Sequence, residues 1–180
     1  VMSILNKKTN DFMRTILLTI ILSLFSATSL IHSQTNKEDF KTFLNKFTTS
    51  SSFQYERVKF PLSNPIILSD EDGEEKEFPF TKDMWPLLDG EAFREERVTV
   101  EEGAVYVAHY VLNEPTKKEF EAGYEESELD LRVVFELIDG KWYVTDCYNG
   151  WYSFDLPANE LDDTVKQIKE INKDFIKQYP

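Results

Sequence analysis

The sequence predicts an α+β domain, a curved and mostly antiparallel sheet packed on an N-terminal and a C-terminal amphipathic helix. Three stretches carry that reading. Across Leu129–Ile138, Leu129, Leu131, Val133, Phe135 and Leu137 alternate with Asp130, Arg132, Val134, Glu136 and Ile138, the two-residue period of a strand with one buried face. Asp139-Gly140 supplies the residues of a type I′ turn, and Lys141–Asn149 returns as the second strand. Phe40, Phe43, Leu44 and Phe47 fall at i, i+3, i+4 and i+7, one face of a helix. Leu161, Val165, Ile168, Phe175, Ile176 and Tyr179 keep helical spacing after Pro157. Asp162 and Asp163 lie near the start of that last helix and Lys169, Lys173 and Lys177 toward its end, which suits the helix dipole.

The N-terminus differs in kind. Lys7, Lys8 and Arg14 precede an apolar run, Thr15–Phe25, followed by Ser26-Ala27-Thr28-Ser29. A basic start, a short apolar core and small residues make a secretory signal peptide, here residues 1–33 with Met13 as a candidate start and cleavage expected after Ser29 or Ser33. The run falls short of the ~20 residues a membrane-spanning helix needs, so no stable span is expected after cleavage. Residues 34–180 then form a single domain large enough for its own core.

The chain carries 20 Lys and Arg against 33 Asp and Glu, a formal charge of −13. Lys7, Lys8, Arg14 and Asp11 belong to the leader, so the mature part carries −15. Nucleic acid and anionic membrane surfaces call for basic patches, so neither is an expected partner. Cys147 is the sole cysteine, which excludes an intramolecular disulfide.

In chain order, Thr35-Asn36-Lys37-Glu38 has the spacing of a capping box for the first helix. The Ser/Thr run Thr48–Ser52 ends it. Phe53–Leu62 reads as a strand stopped by Pro61. Ile66-Ile67-Leu68 and Phe78-Pro79-Phe80 flank the acidic stretch Asp70–Glu77. That stretch lacks the D-x-[DN]-x-[DN]-G pattern and closing Glu of a calcium loop. A solvated turn at Asp72-Gly73 is expected, and no metal. Met84–Leu88 is a compact apolar segment. Arg94–Val100 and Gly103–Asn113 read as strands, and Lys117–Ala122 as a short helix capped by Gly123.

The usual enzyme signatures are missing: no G-x-S-x-G, no phosphate loop, no H-E-x-x-H and no cysteine pair for zinc. His32 lies in the leader, so the mature chain has one histidine, His109. Two catalytic candidates remain, Asp146 and His109. A plain register about the turn sets Leu137 opposite Trp142, Val133 opposite Asp146 and Arg132 opposite Cys147. Asp146 then stands desolvated on the apolar face, as a base would, unless a β-bulge turns it outward. His109 shares a face with Val105, Val107 and Val111, where a hydrogen-bonded core histidine is the common outcome. Trp142, Tyr148, Trp151 and Tyr152, with Tyr143, form the densest aromatic group and are the candidate ligand-binding residues. Tyr152, at a sheet end, is expected to be peripheral.

The order of elements and the late hairpin built on Asp139-Gly140-Lys141-Trp142-Tyr143 resembles the nuclear-transport-factor-2-like superfamily of cystatin-like α+β cones. More narrowly, Phe53-Gln54, Arg57-Val58-Lys59-Phe60-Pro61-Leu62 and residues 139–143 are similar to an exported Bacteroidetes family, domain of unknown function 4348. The resemblance implies a sheet wrapped around helices with a pocket on its concave face. The superfamily includes isomerases and dehydratases beside many non-catalytic binding domains, and these motifs transfer no catalytic residue. Phe60–Leu88 and Pro157–Tyr179 depart from a simple member, and either could fill the pocket.

The expected function is an exported, non-catalytic binding or interaction domain, periplasmic or extracellular, whose partner is a small molecule or a protein. The alternative is an acid–base enzyme of isomerase or dehydratase type, with Asp146 as base and His109 or a tyrosine as its partner. No cofactor is expected. If the leader is a signal, mass analysis of the protein from its host will find a mature N-terminus between Ser29 and Asn36. An intact leader in the cytoplasmic fraction would sink that reading.

Overall fold

Asp39 starts the first helix. Its carboxylate accepts a hydrogen bond from the Thr42 backbone N–H at 2.8 Å, satisfying a donor that the helix start leaves free. The computed structural model describes residues 37–100 and 103–180, with Glu38–Pro180 as one unit. The leader, its cleavage sites, His32 and the expected cap Thr35 lie outside the described residues. Helix α1 spans Phe40–Phe47, as its spacing predicts, and Thr48 and Thr49 close it by bonding back to Leu44 and Asn45 carbonyls.

The expected strand over Phe53–Leu62 is wrong in its first half. Helix α2 spans Ser51–Arg57, and the Ser50 hydroxyl caps it by accepting from Phe53 N–H. The serine run that ends α1 also starts α2, and two turns are too short to display a helical period. The second half does extend. Lys59 N–H donates to Val144 O and Ser63 N–H to Thr145 O, with a parallel bridge between Val58 and Val144. Strands β1 (Ile66–Ser69) and β2 (Glu75–Phe78) form a hairpin around the acidic turn.

The main sheet has five strands: β3 (Glu96–Thr99), β4 (Val105–Asn113), β5 (Lys117–Tyr124), β6 (Leu129–Ile138) and β7 (Lys141–Asn149). They pair in sequence order, all antiparallel. Lys117–Ala122 is therefore strand, not helix. Phe120 and Ala122 are buried, and Lys118 lies on that same face with its ammonium over the rings of Phe40 and Trp142. A half-buried lysine stem on the inner face disguised the alternation. Gly123 is no helix cap. It sits at a register shift where a Cβ would come within 3.0 Å of Glu128 O and Leu129 Cα. The β6–β7 turn is as predicted, with Asp139 and Gly140 at φ 49° and 80°.

One face of the sheet carries α1. Phe40, Phe43 and Phe47 meet Phe135 at centroid distances of 5.3, 5.9 and 6.2 Å, and Phe93 closes the group. This face is filled by aromatic core. Trp142 pairs with Leu137 and packs edge-on against Phe40 at 4.9 Å, and its indole N–H donates to Glu38 O. Helix α3 (Leu161–Gln178) buries Leu161, Thr164, Ile168 and Asn172 and exposes Ile171 and Ile176. It packs against the Lys82–Met84 turn and the segment after it.

That segment, Trp85–Leu88, is buried without a strand partner. Gln54, wholly buried, donates to Phe47 O and Leu88 O and accepts from Trp85 Nε1–H and Leu88 N–H. Asn172 donates to Trp85 O and accepts from Leu87 N–H. Gln54→Leu leaves four buried groups unpaired, so a loss of about 3 kcal/mol or more is expected. Trp142→Ala removes a buried indole and should cost about 3–5 kcal/mol. Ile176→Ala, on the exposed stripe, should cost under about 0.5 kcal/mol. Urea melts of the three variants check this, and equal losses would mean that neither polar pin nor hairpin anchors the fold.

Candidate functional site

The free half of β7 builds the site. Its first half is covered by the extended segment Val58–Ser63. Beyond Asp146 that segment swings away into β1, and a cleft of about 330 Å³ opens between the two. Pro65, Ile66 and Ile67 form one wall, and Cys147, Tyr148 and Asn149 the other. Phe80 and Tyr152 lie deeper and are buried, while Phe154 and Glu128 stand at the mouth. The walls are mainly carbon. Ile67 and Phe154 are 46% and 61% exposed, large apolar side chains left in water at the rim of a concave surface.

Tyr152 is not peripheral. It is 4% exposed, its hydroxyl donates to Met84 O at 2.6 Å, and its ring packs edge-on against Phe80. Burial pushes its phenol pKa upward, so it stays protonated. Tyr148 lines both this cleft and a shallower hollow with Ser127, Leu129 and Arg132. Its pKa is raised by burial and then by the carboxylates of Glu128, Asp130 and Asp155. Trp151 is 41% exposed and borders a separate hollow with Asp130 and Asn149. Trp142 is in the core, away from the cleft. Of the four predicted aromatic residues, the structure thus brings two, Tyr148 and Tyr152, to one cavity.

Asp146 is placed by a bulge. Leu137 pairs with Trp142 and Phe135 with Val144 as predicted, but Val134 then pairs with Asp146, leaving Thr145 extra. The plain register is overturned: Val133 faces Cys147 and Arg132 faces Tyr148. Asp146 leaves the Phe135–Val144 face for the other one, the alternative the sequence left open. It is still buried, at 6% exposure, because Asn64 covers it. Asn64 Nδ2 donates to its Oδ2 at 2.6 Å, Asn64 N–H to Oδ1 at 3.3 Å, and Arg132 Nη1 to Oδ2 at 2.8 Å. Arg132 also pairs with Glu119. A carboxylate so saturated is a clamp, and it fixes the residue that leads into the Pro65–Ile67 wall.

His109 is exposed, not a core histidine, because Tyr106, Ala108 and Tyr110 take the inward positions of β4. It lies three strands from Asp146 in the sheet order, about 14 Å at the usual strand spacing. The two do not converge. Tyr110 has a buried hydroxyl without a partner among the described residues, and burial with the nearby Glu95 charge pushes its pKa up to about 12. Burial raises the Cys147 thiol as well, and a thiol held protonated is no nucleophile. Asp70 is committed to its turn, accepting from Asp72 and Glu74 N–H, with Lys76 at 2.9 Å. Among the described residues, no three His, Cys, Asp or Glu are grouped to hold a metal, and no helix is long and apolar enough to cross a membrane.

Sequence reasoning missed the walls supplied by Pro65, Ile66, Ile67 and Phe154. The available signal was Ile66-Ile67-Leu68, an uninterrupted apolar triplet where a half-buried strand should alternate.

A helix pair and a filled aromatic face under a five-stranded antiparallel meander define an α+β protein of the cystatin-like class. A protein-family model matches residues 38–176. The crystal structure of a cystatin-like protein from Bacteroides caccae is 61% identical, with a TM-score of 0.78 over 80% of this chain and 97% of that one. NMR structures of proteins from Bacteroides uniformis and Bacteroides ovatus are 62% and 60% identical, with TM-scores of 0.75 and 0.76. They cover 80% and 82% of this chain and 98% of each relative. The chain belongs to the family of these Bacteroides proteins. No curated protein matches it.

Asp146→Ala frees Asn64 and strips Arg132 of one partner. Breaking a buried pair costs about 3–5 kcal/mol, but Arg132 is partly exposed and keeps Glu119, so about 1–3 kcal/mol is expected. Amide resonances of Ile66 and Ile67 should shift with it. Unmoved resonances and an unchanged melt would mean that Asp146 does not hold the cleft wall.

Proposed function

We propose that this chain is an exported, non-catalytic binding domain whose ligand enters the cleft between β1 and the free half of β7. The finer kinship, to the nuclear-transport-factor-2-like superfamily and domain of unknown function 4348, belongs to the same proposal. The observation that carries the reading is the pair of large apolar side chains, Ile67 and Phe154, left exposed over a concave, carbon-lined cavity. Burying apolar surface is worth about 25 cal/mol per Å², and such a cleft gains it only when filled. The cavity lies at the small end of the range for ligand sites, about 300–1,000 Å³.

The enzyme alternative has less behind it. General acid–base work needs two polar groups converging on a reacting atom. Asp146 is consumed by Arg132 and Asn64, and His109 stands on a distant strand. Of the two cleft tyrosines, Tyr152 spends its hydroxyl on Met84 O, and the Tyr148 phenol has its pKa raised by burial and by neighbouring carboxylates. The face of the sheet where the resemblance places a pocket holds Phe40, Phe43, Phe47 and Phe135.

A neutral apolar probe tests the cleft directly. In amide NMR spectra, 1-octanol should shift Ile66, Ile67 and Cys147–Asn149. The double variant Ile67→Ala/Phe154→Ala should weaken binding by about fivefold or more through lost apolar contact, with an unchanged melting temperature. Shifts scattered over the surface, or none, would overturn the assignment.

A further inference from the structure

The cleft's walls say that its ligand has an apolar body; its surroundings say what else the ligand carries. Among the described residues, Glu128 is the only charged one that lines it. Glu128 also borders the adjoining hollow, where Tyr148 forms the shared wall. Asp130 lines the hollow beyond Asn149, and Asp155 directly follows Phe154 at the mouth. Burial raises the Tyr148 phenol pKa, and the charges of these three carboxylates add to it. Among the described residues, none of the three makes an ion pair. Some acids of this chain are matched, as Glu38 is with Arg57, Glu119 with Arg132 and Glu125 with Arg97. Arg132, which lines the adjoining hollow, is bound to Glu119 and Asp146.

We propose that the cleft takes an organic cation, an ammonium group joined to an apolar body, with the body between Ile66 and Cys147 and the ammonium at the Glu128–Tyr148 rim. Carboxylates attract the charge, and the face of a tyrosine ring adds a further contact to a cation within about 6 Å. An anion entering the same cleft would meet the like charge of Glu128 and, among the described residues, no cation in its walls. This deepens the binding-domain reading and rests on it.

The test compares octylammonium, 1-octanol and octanoate, three probes of one apolar body and three charges, titrated into the protein at low salt. Octylammonium should bind about tenfold more tightly than octanol, the difference expected of partly exposed charge pairs. Octanoate should bind more weakly than either. Added salt should shrink the advantage of octylammonium and leave octanol nearly unmoved. Glu128→Gln/Asp155→Asn should bring octylammonium down to the affinity of octanol while octanol binding and the melting temperature stay as they were. If octanol and octanoate match octylammonium in the cleft, the charge preference is wrong and the binding site stands. If no probe shifts the cleft resonances, the binding-domain reading itself fails.

Discussion

The architecture depends on two carboxamides. Trp85–Leu88 crosses the interior as a bare extended segment, and buried backbone groups without partners are costly enough to forbid such a path. Gln54 from α2 and Asn172 from α3 supply the missing partners from opposite sides, engaging Trp85, Leu87 and Leu88. An amide side chain suits this because it donates and accepts at once, as a peptide group does. With the segment pinned, Trp85 fills the space between the helices, Phe80 and Phe60 pack around its ring, and α3 gains a surface to lie on. Without the two amides the helical layer has no middle.

This explains where sequence reading succeeded. The hairpin, its type I′ turn, α1 and α3 follow from local pattern: a period of two, a period near 3.6, and a turn dipeptide. The failures share a physical cause, which is that the deciding partner is remote in sequence. Phe53–Arg57 looks extended because its alternation is visible while its cap and the four bonds of Gln54 are not. Lys117–Ala122 looks helical because Lys118 breaks the strand alternation, and only the rings of Phe40 and Trp142 beneath it explain a lysine on the inner face.

The site was half legible for the same reason. Asp146 reads correctly as a carboxylate that a plain register would trap among apolar neighbours. No local feature of Val144-Thr145-Asp146 announces the extra residue that turns it over. The bulge forms where β7 stops pairing with the Val58–Ser63 segment on its outer side, and Asn64 is waiting at that point. Tyr148 and Tyr152 were found because aromatic density is visible in sequence, but Trp142 belonged to the core and the opposite wall came from residues about 80 positions earlier. A cleft with one wall from β1 and one from β7 cannot be read from either.

The separation of those walls along the chain also bears on how the molecule assembles. The sheet is a meander in which each strand pairs with the next, so its contacts are local and close quickly. The stitches between layers are long: 82 residues from Asn64 to Asp146, 104 from Glu38 to Trp142, and 130 from Ser50 to Pro180. Loop closure favours the meander first and the stitches last. The cleft therefore exists only once the chain has finished folding. A ligand held there grips the final, most slowly made contacts, and occupancy of the cleft becomes a report on the completeness of the fold.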